Sequence, residues 1–264
     1  MNLDWRRLCE CFKMDLKTAN SLVGAVVILV LAVACIYSVY SLWDNAQVYA
    51  AVDDVQSQLL QLKPQASEDG GASFEELRAI NPDVCAWITL DNTEIDYPVL
   101  QGEDNLTYIN TDVYGEFALA GSIFLDANCD NTFHGNYSLL YGHHMANSKM
   151  FGDLDLYEDE DFFNENTTGT LILPDRTYDL EIFACLRVSA SEPAIFSPMQ
   201  WQTDTSGLLD FVNNNAMYIH QDTMDQIGTS EETSQILAMT TCSSEFTDAR
   251  TVLLAVMKPY SPEK

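Results

Sequence analysis

Basic residues are scarce in this chain. It carries 12 lysines and arginines against 40 aspartates and glutamates, for a formal net charge of -28. A surface so acidic repels phosphate backbones, which excludes nucleic acid as a partner. No D-x-[DN]-x-[DN]-G loop is present to turn that acidity into a calcium site, so it reads as a solvated surface, and no metal or other cofactor is expected. Internal repeats and low-complexity tracts are also missing. Among the seven cysteines, Cys9 and Cys11 precede an apolar segment and Cys35 sits inside it. The other four, Cys85, Cys129, Cys185 and Cys242, are spaced too widely for a zinc or redox motif. Cys85 and Cys185 stand in apolar runs, where a free thiol acts as a small hydrophobe, and a disulfide between two of the four stays open. Only Cys242 has surroundings that suggest chemistry.

What is present begins with "SLVGAVVILVLAVACIYSVYSLW", residues 21–43, which carries no charge. At a rise of about 1.5 Å per residue such a helix spans a hydrocarbon core of roughly 30 Å. Tyr37, Tyr40 and Trp43 cluster at its far end, as interfacial aromatics do. Arg6, Arg7, Lys13 and Lys17 precede it, so the positive-inside rule predicts a cytoplasmic N-terminus (residues 1–20) and a single-pass protein of the cell membrane with its remainder outside. A cleaved signal peptide ending at "VYA", residues 48–50, is the rival, against which the length of the apolar run counts.

Outside the membrane, Val48, Val52, Val55, Leu59 and Leu62 recur at helical steps and predict an amphipathic helix, followed by the linker "KPQASEDGGA" (together residues 44–72). A domain over 73–264 follows. Ser73 with Glu76 forms a capping box for a short helix ending at Asn81-Pro82. Eight short strands are then expected: 86–90, 95–100, 121–126, 137–141, 169–174, 177–188, 235–241 and 251–257. Asp91-Asn92 and Pro174-Asp175 read as hairpin turns. The fold class is therefore mainly β, a closed or nearly closed eight-stranded barrel. Within 189–234, Leu208, Leu209, Phe211, Val212, Met217 and Ile219 follow helical spacing, which predicts a helix inserted before the Cys242 strand.

Of four histidines, His134 and His220 read as surface residues. "LLYGHHM" differs, because a glycine ends an apolar strand and two histidines follow at a barrel rim. "LAMTTCSSEFTDAR" ends one apolar strand in Cys242 and opens the next at Arg250. A hairpin of that length brings thiol and guanidinium to one rim, which the His143 strand can share. Cysteine chemistry needs a thiolate and a donor for the developing oxyanion, and these residue types supply both.

"YGHHM", "TTC" and "EFTDAR" resemble the histidine, cysteine and arginine motifs of the sortases, membrane-anchored transpeptidases of Gram-positive bacteria. The resemblance covers roughly residues 74–258. "NPDVCAWITLDNTEIDYPVLQGEDNLTYIN" and the helix before the cysteine strand are similar to class B. The family commonly has threonine-leucine where "AMTTC" has Ala238 and Met239, a change of packing rather than of chemistry. The resemblance implies that Cys242 cleaves a sorting signal after threonine through a thioester, and that His143 exchanges protons with leaving and incoming amines. Arg250 would hold the substrate carbonyl or the oxyanion, with the amide after Thr241 as helper. His144 is the alternative base. Asn105, Ile109, Tyr218, Ile219, Thr240 and Ser243 would line the peptide groove, beside Thr241. The implied partners are surface proteins bearing sorting signals, a peptidoglycan precursor or a pilin lysine as amine acceptor, and the cytoplasmic membrane.

Three readings compete: a cysteine peptidase and transpeptidase that anchors proteins to the cell wall, the same chemistry polymerising pili, and a tethered β-barrel binding module with no catalysis. A papain-like protease places its cysteine before its histidine, the reverse of this chain.

Overall fold

The computed structural model describes residues 16–67, 74–229, 234–242 and 249–261. Ser73, Ser243, the loop after it and the first fifteen residues lie outside the described residues, as do the side chains of Lys17 and Cys242.

One helix, α1 (Leu16–Leu60), carries both the apolar run and the amphipathic stretch without a break. Its apolar portion is exposed, and the helix is long and apolar enough to cross a membrane. The chain divides into two compact units at Ala51–Val52, so the second unit takes up the end of this helix. There Val55, Leu59 and Leu62 pack in a cluster with Leu77 of α2 (Phe74–Ile80) and with Val84, Trp87 and Leu100. The three- and four-residue spacing of that stripe gives it one apolar face, and burying a leucine there contributes about 1.5–3 kcal/mol.

Ten strands follow among the described residues: β1 (Val84–Leu90), β2 (Asp96–Leu100), β3 (Ile123–Leu125), β4 (Tyr137–Met145), β5 (Lys149–Met150), β6 (Thr168–Ile172), β7 (Thr177–Ser189), β8 (Ala216–Ile219), β9 (Gln235–Cys242) and β10 (Ala249–Pro259). The order β10-β9-β4-β3-β2-β1-β6-β7 closes on itself through pairing of β10 with β7. The eight strands expected from the sequence are the eight of this ring. Pairings β2–β3 and β4–β9 are parallel and the rest of the ring is antiparallel, making a mixed barrel. β8 hangs on the edge of β7, and β5 on β4. The main buried cluster includes Ile88, Leu139, Phe183, Leu186, Leu237 and Leu253, all fully buried.

Of three local expectations, one holds and two change. Asn92 adopts the left-handed conformation (φ 59°) in the β1–β2 turn, as a turn asparagine does. Gly142 does not end its strand. β4 runs on through both histidines to Met145 because the glycine serves close packing: a Cβ there would press on Ile123 and Phe151. The short helix α3 (Glu160–Glu165) lies before β6; in the insertion, α4 (Pro193–Phe196), a 3-10 turn (Pro198–Trp201) and α5 (Ser206–Asn215) precede β8, so Met217 and Ile219 are extended rather than helical. The open edge of β7 beyond β6 captures them as a strand.

Candidate active site

Strand register assembles the candidate groups. β4 and β9 run parallel with Gly142 opposite Thr241 and the Cα of His143 opposite that of Cys242. On the other side of β9, Val252 of β10 pairs with Thr240. Two residues along that antiparallel register, Arg250 reaches the level of Cys242, while its own pairing is with Val188 of β7. His143, Cys242 and Arg250 thus occupy one row across three adjacent strands.

Alternation along β4 settles which way the imidazole points. Gly142 faces the core, so Tyr141 and His143 face outward. The long β2–β3 connection passes over this face, and His143 Nε2 lies 2.7 Å from the Ile109 carbonyl oxygen. A carbonyl only accepts, so Nε2 carries a proton and donates it. In the neutral ring Nδ1 is then the nitrogen with a free lone pair for proton exchange. Gly121 (φ 56°) fixes the loop from behind, because a Cβ there would collide with the Ile109 carbonyl. His144 looks to the other side and meets Asp155 at 2.7 Å.

The suggested groove residues separate into groups. Ile109 supplies the carbonyl for His143, and Thr240 and Thr241 lie beside it on β9, both buried. Thr240 Oγ1 donates to the Thr251 carbonyl at 3.2 Å. Asn105 is turned toward the protein: its Nδ2 donates to Asp126 Oδ2 at 2.8 Å and its Oδ1 accepts from the Ala127 amide at 2.7 Å. Tyr218 and Ile219 sit on β8, with β7, β10 and β9 between them and β4 in the strand order, and the Tyr218 ring packs on Phe163 at 5.7 Å.

Two aromatic residues escaped the sequence reading. Tyr141 stands two positions before His143 on the same face, its ring stacked on Phe196 of α4 (6.4 Å, 13°) and its hydroxyl donating to Asp126 at 3.1 Å. The period-2 pattern of "YGHHM" contained that signal. Phe196 comes from a distant segment, and no local pattern announces it.

Three buried thiols are unsuited to reaction. Cys85, Cys129 and Cys185 are free and buried, and burial pushes each up to about 12. His134 is exposed, whereas His220 is half-buried and stacks on Phe163 at 4.3 Å. Among the described residues no cluster of histidine, cysteine, aspartate or glutamate could hold a metal ion.

Comparison with known proteins decides the family. Sortase B of Listeria monocytogenes serovar 1/2a is 30% identical over 206 residues, covering 77% of this chain and 81% of the relative. The chain belongs to the sortase family, in class B. This sortase is also 24% identical to Sortase B of Staphylococcus aureus, over 93% of its length and 98% of the relative. Among solved structures, Spy0129 of Streptococcus pyogenes, a class B sortase involved in pilus biogenesis, is 34% identical with a TM-score of 0.61, covering 70% of this chain and 97% of that one. A sortase B-like protein of Bacillus anthracis superposes with a TM-score of 0.66 at 26% identity, covering 83% and 98%. No protein-family model matches the chain. The sortase is therefore a cysteine transpeptidase with the barrel of its family.

Proposed function

We propose that this sortase is tethered by α1, with its barrel outside the cytoplasmic membrane, and attaches surface proteins to the cell wall. The observation that carries the reading is the row of His143, Cys242 and Arg250 across β4, β9 and β10. The Cys242 thiol passes its proton to His143 Nδ1, and the sulfur attacks the carbonyl carbon of the sorting-signal threonine, so that a C–S bond forms as the C–N bond breaks. His143 gives a proton to the departing amine. An incoming amine then attacks the thioester carbon, the C–S bond breaks, and His143 takes the proton that the new amide nitrogen sheds. Arg250 steadies the oxyanion in both steps. Ile109, Thr240, Thr241 and Ser243 border the acyl side of the groove, and Asn105 joins them by exchanging Asp126 for substrate.

The amine acceptor is a peptidoglycan precursor in this reading. Water competes with that scarce amine, so transfer requires the amine to be held in place at the thioester. A second acceptor, a pilin lysine, is favoured by the likeness to the Streptococcus pyogenes enzyme of pilus biogenesis. Full-length protein in detergent, incubated with a pool of fluorescence-quenched peptides each holding one threonine, tests both. Offering a cell-wall stem peptide or a lysine peptide as amine separates the acceptors by the product formed. Undiminished cleavage by Cys242→Ala would overturn the enzymatic reading and leave a binding module.

A further inference from the structure

His143 and Arg250 are each followed by a residue that turns to the opposite side of its strand, and one carboxylate holds both followers. His144 Nε2 lies 2.7 Å from Asp155 Oδ2. Thr251 Oγ1 shares its one proton between Glu158 Oε1 at 2.8 Å and Asp155 Oδ1 at 3.1 Å. Arg187 of β7 reaches Glu158 Oε2 at 3.2 Å. Both acids belong to the 3-10 helix Gly152–Glu158, anchored in the barrel core by the fully buried Leu154 and Tyr157. One short helix therefore fastens β4, β10 and β7 immediately behind the row of candidate reacting groups.

Among the described residues, the β9–β10 register is formed from Val252 onward, one residue after Thr251, while β10 stays paired with β7 through Arg250 and Ala249. We propose that Asp155 is a positioning residue for transfer: through His144 and Thr251 it sets where His143 and Arg250 stand around Cys242. This rests on the reading of those three residues as the reacting groups. His144 and Asp155 are each more than a third exposed (40% and 49% of the side chain), so their pairing adds little to global stability. Geometry is the more sensitive quantity, since a displacement of about 1 Å at reacting groups costs up to about a hundredfold in rate.

The test uses the full-length chain in detergent and the single best-cleaved peptide of the threonine pool. Asp155→Ala is expected to lower kcat about tenfold, with KM within about twofold of wild type. Its Tm should stay within about 3 °C. Asp155→Asn, which keeps one acceptor oxygen, should lose about threefold. Adding His144→Ala to Asp155→Ala should cost less than about twofold more, because the two act through one contact. A kcat for Asp155→Ala within twofold of wild type, a loss confined to KM, or losses that multiply in the double variant would each overturn the proposal. Should Asp155→Ala fail to fold, a wild-type kcat in Asp155→Asn overturns it instead. Cleavage by Cys242→Ala would show that the reading of the site had failed. A silent Cys242→Ala beside a fully active Asp155→Ala would remove only the positioning role.

Discussion

His143 and Cys242 are Cα partners on the parallel strands β4 and β9, although about a hundred residues of chain separate them. Parallel neighbours cannot be joined by a tight turn, and the intervening chain supplies two further ring strands, β6 and β7, together with β5, β8 and the helices of the insertion before β9 returns to β4. The sheet, rather than any loop, thus fixes the spacing between the proposed base and nucleophile.

The loop over His143 should be intolerant of a side chain at Gly121. Gly121→Ala must push back the Ile109 carbonyl and so loosen the hydrogen bond that holds Nε2. A fall of about tenfold in kcat/KM is expected. Gly115 (φ 81°) has nothing near its missing Cβ, so Gly115→Ala costs only about 1 kcal/mol of backbone strain and leaves turnover intact. Steady-state kinetics and thermal melts of the two variants make the comparison; equal turnover in both would contradict it.

Gly142 is constrained by packing. Gly142→Ala forces Ile123 and Phe151 apart in the core and should destabilise by about 1–3 kcal/mol, read from the urea midpoint. A midpoint equal to wild type would show that this part of the core can yield.

Asn105 has a structural role besides any contact with substrate. Asp126 is 2% exposed, and Asn105, Tyr141 and Asn128 satisfy its carboxylate. Asn105→Ala leaves one oxygen short of a donor and should cost about 1–3 kcal/mol. A variant with weakened substrate binding but unchanged Tm would show that Asn105 serves the groove alone.

Alkali should destabilise the barrel in a defined window. Burial raises the thiols of Cys85, Cys129 and Cys185 from 9.0 to about 12, and burial raises the phenols of Tyr97 and Tyr108 from 10.0 to about 12. A raised folded-state value means that the folded chain holds protons which the unfolded chain gives up. The associated stability is fully present below pH about 9 and is lost as pH climbs toward about 12. Tm should fall steadily over that range, and the three buried thiols should resist iodoacetamide at pH 8 in the native state. Rapid native-state labelling of Cys185 would contradict this account.

Much of the barrel was legible because each ring strand is a short apolar run bounded by turn residues. β5 and β8 were not, since two- and four-residue strands exist only by virtue of the edges they join. Helical spacing at Met217 and Ile219 was overridden by pairing with β7. Gly142 suggested a strand end because a glycine's role as a packing gap depends on Phe151 and Ile123, which sequence order does not reveal. Motif order disclosed the row of His143, Cys242 and Arg250, whereas the Asp155 contacts and the Tyr141–Phe196 stack arise only from tertiary assembly.

The most direct test of the central claim is mass spectrometry of full-length protein mixed with threonine-containing sorting peptides and quenched in acid. The account predicts one acyl adduct, on the proteolytic fragment containing Cys242, released by hydroxylamine and absent in Cys242→Ala. An adduct on another residue, or peptide cleavage that persists in Cys242→Ala, would contradict it.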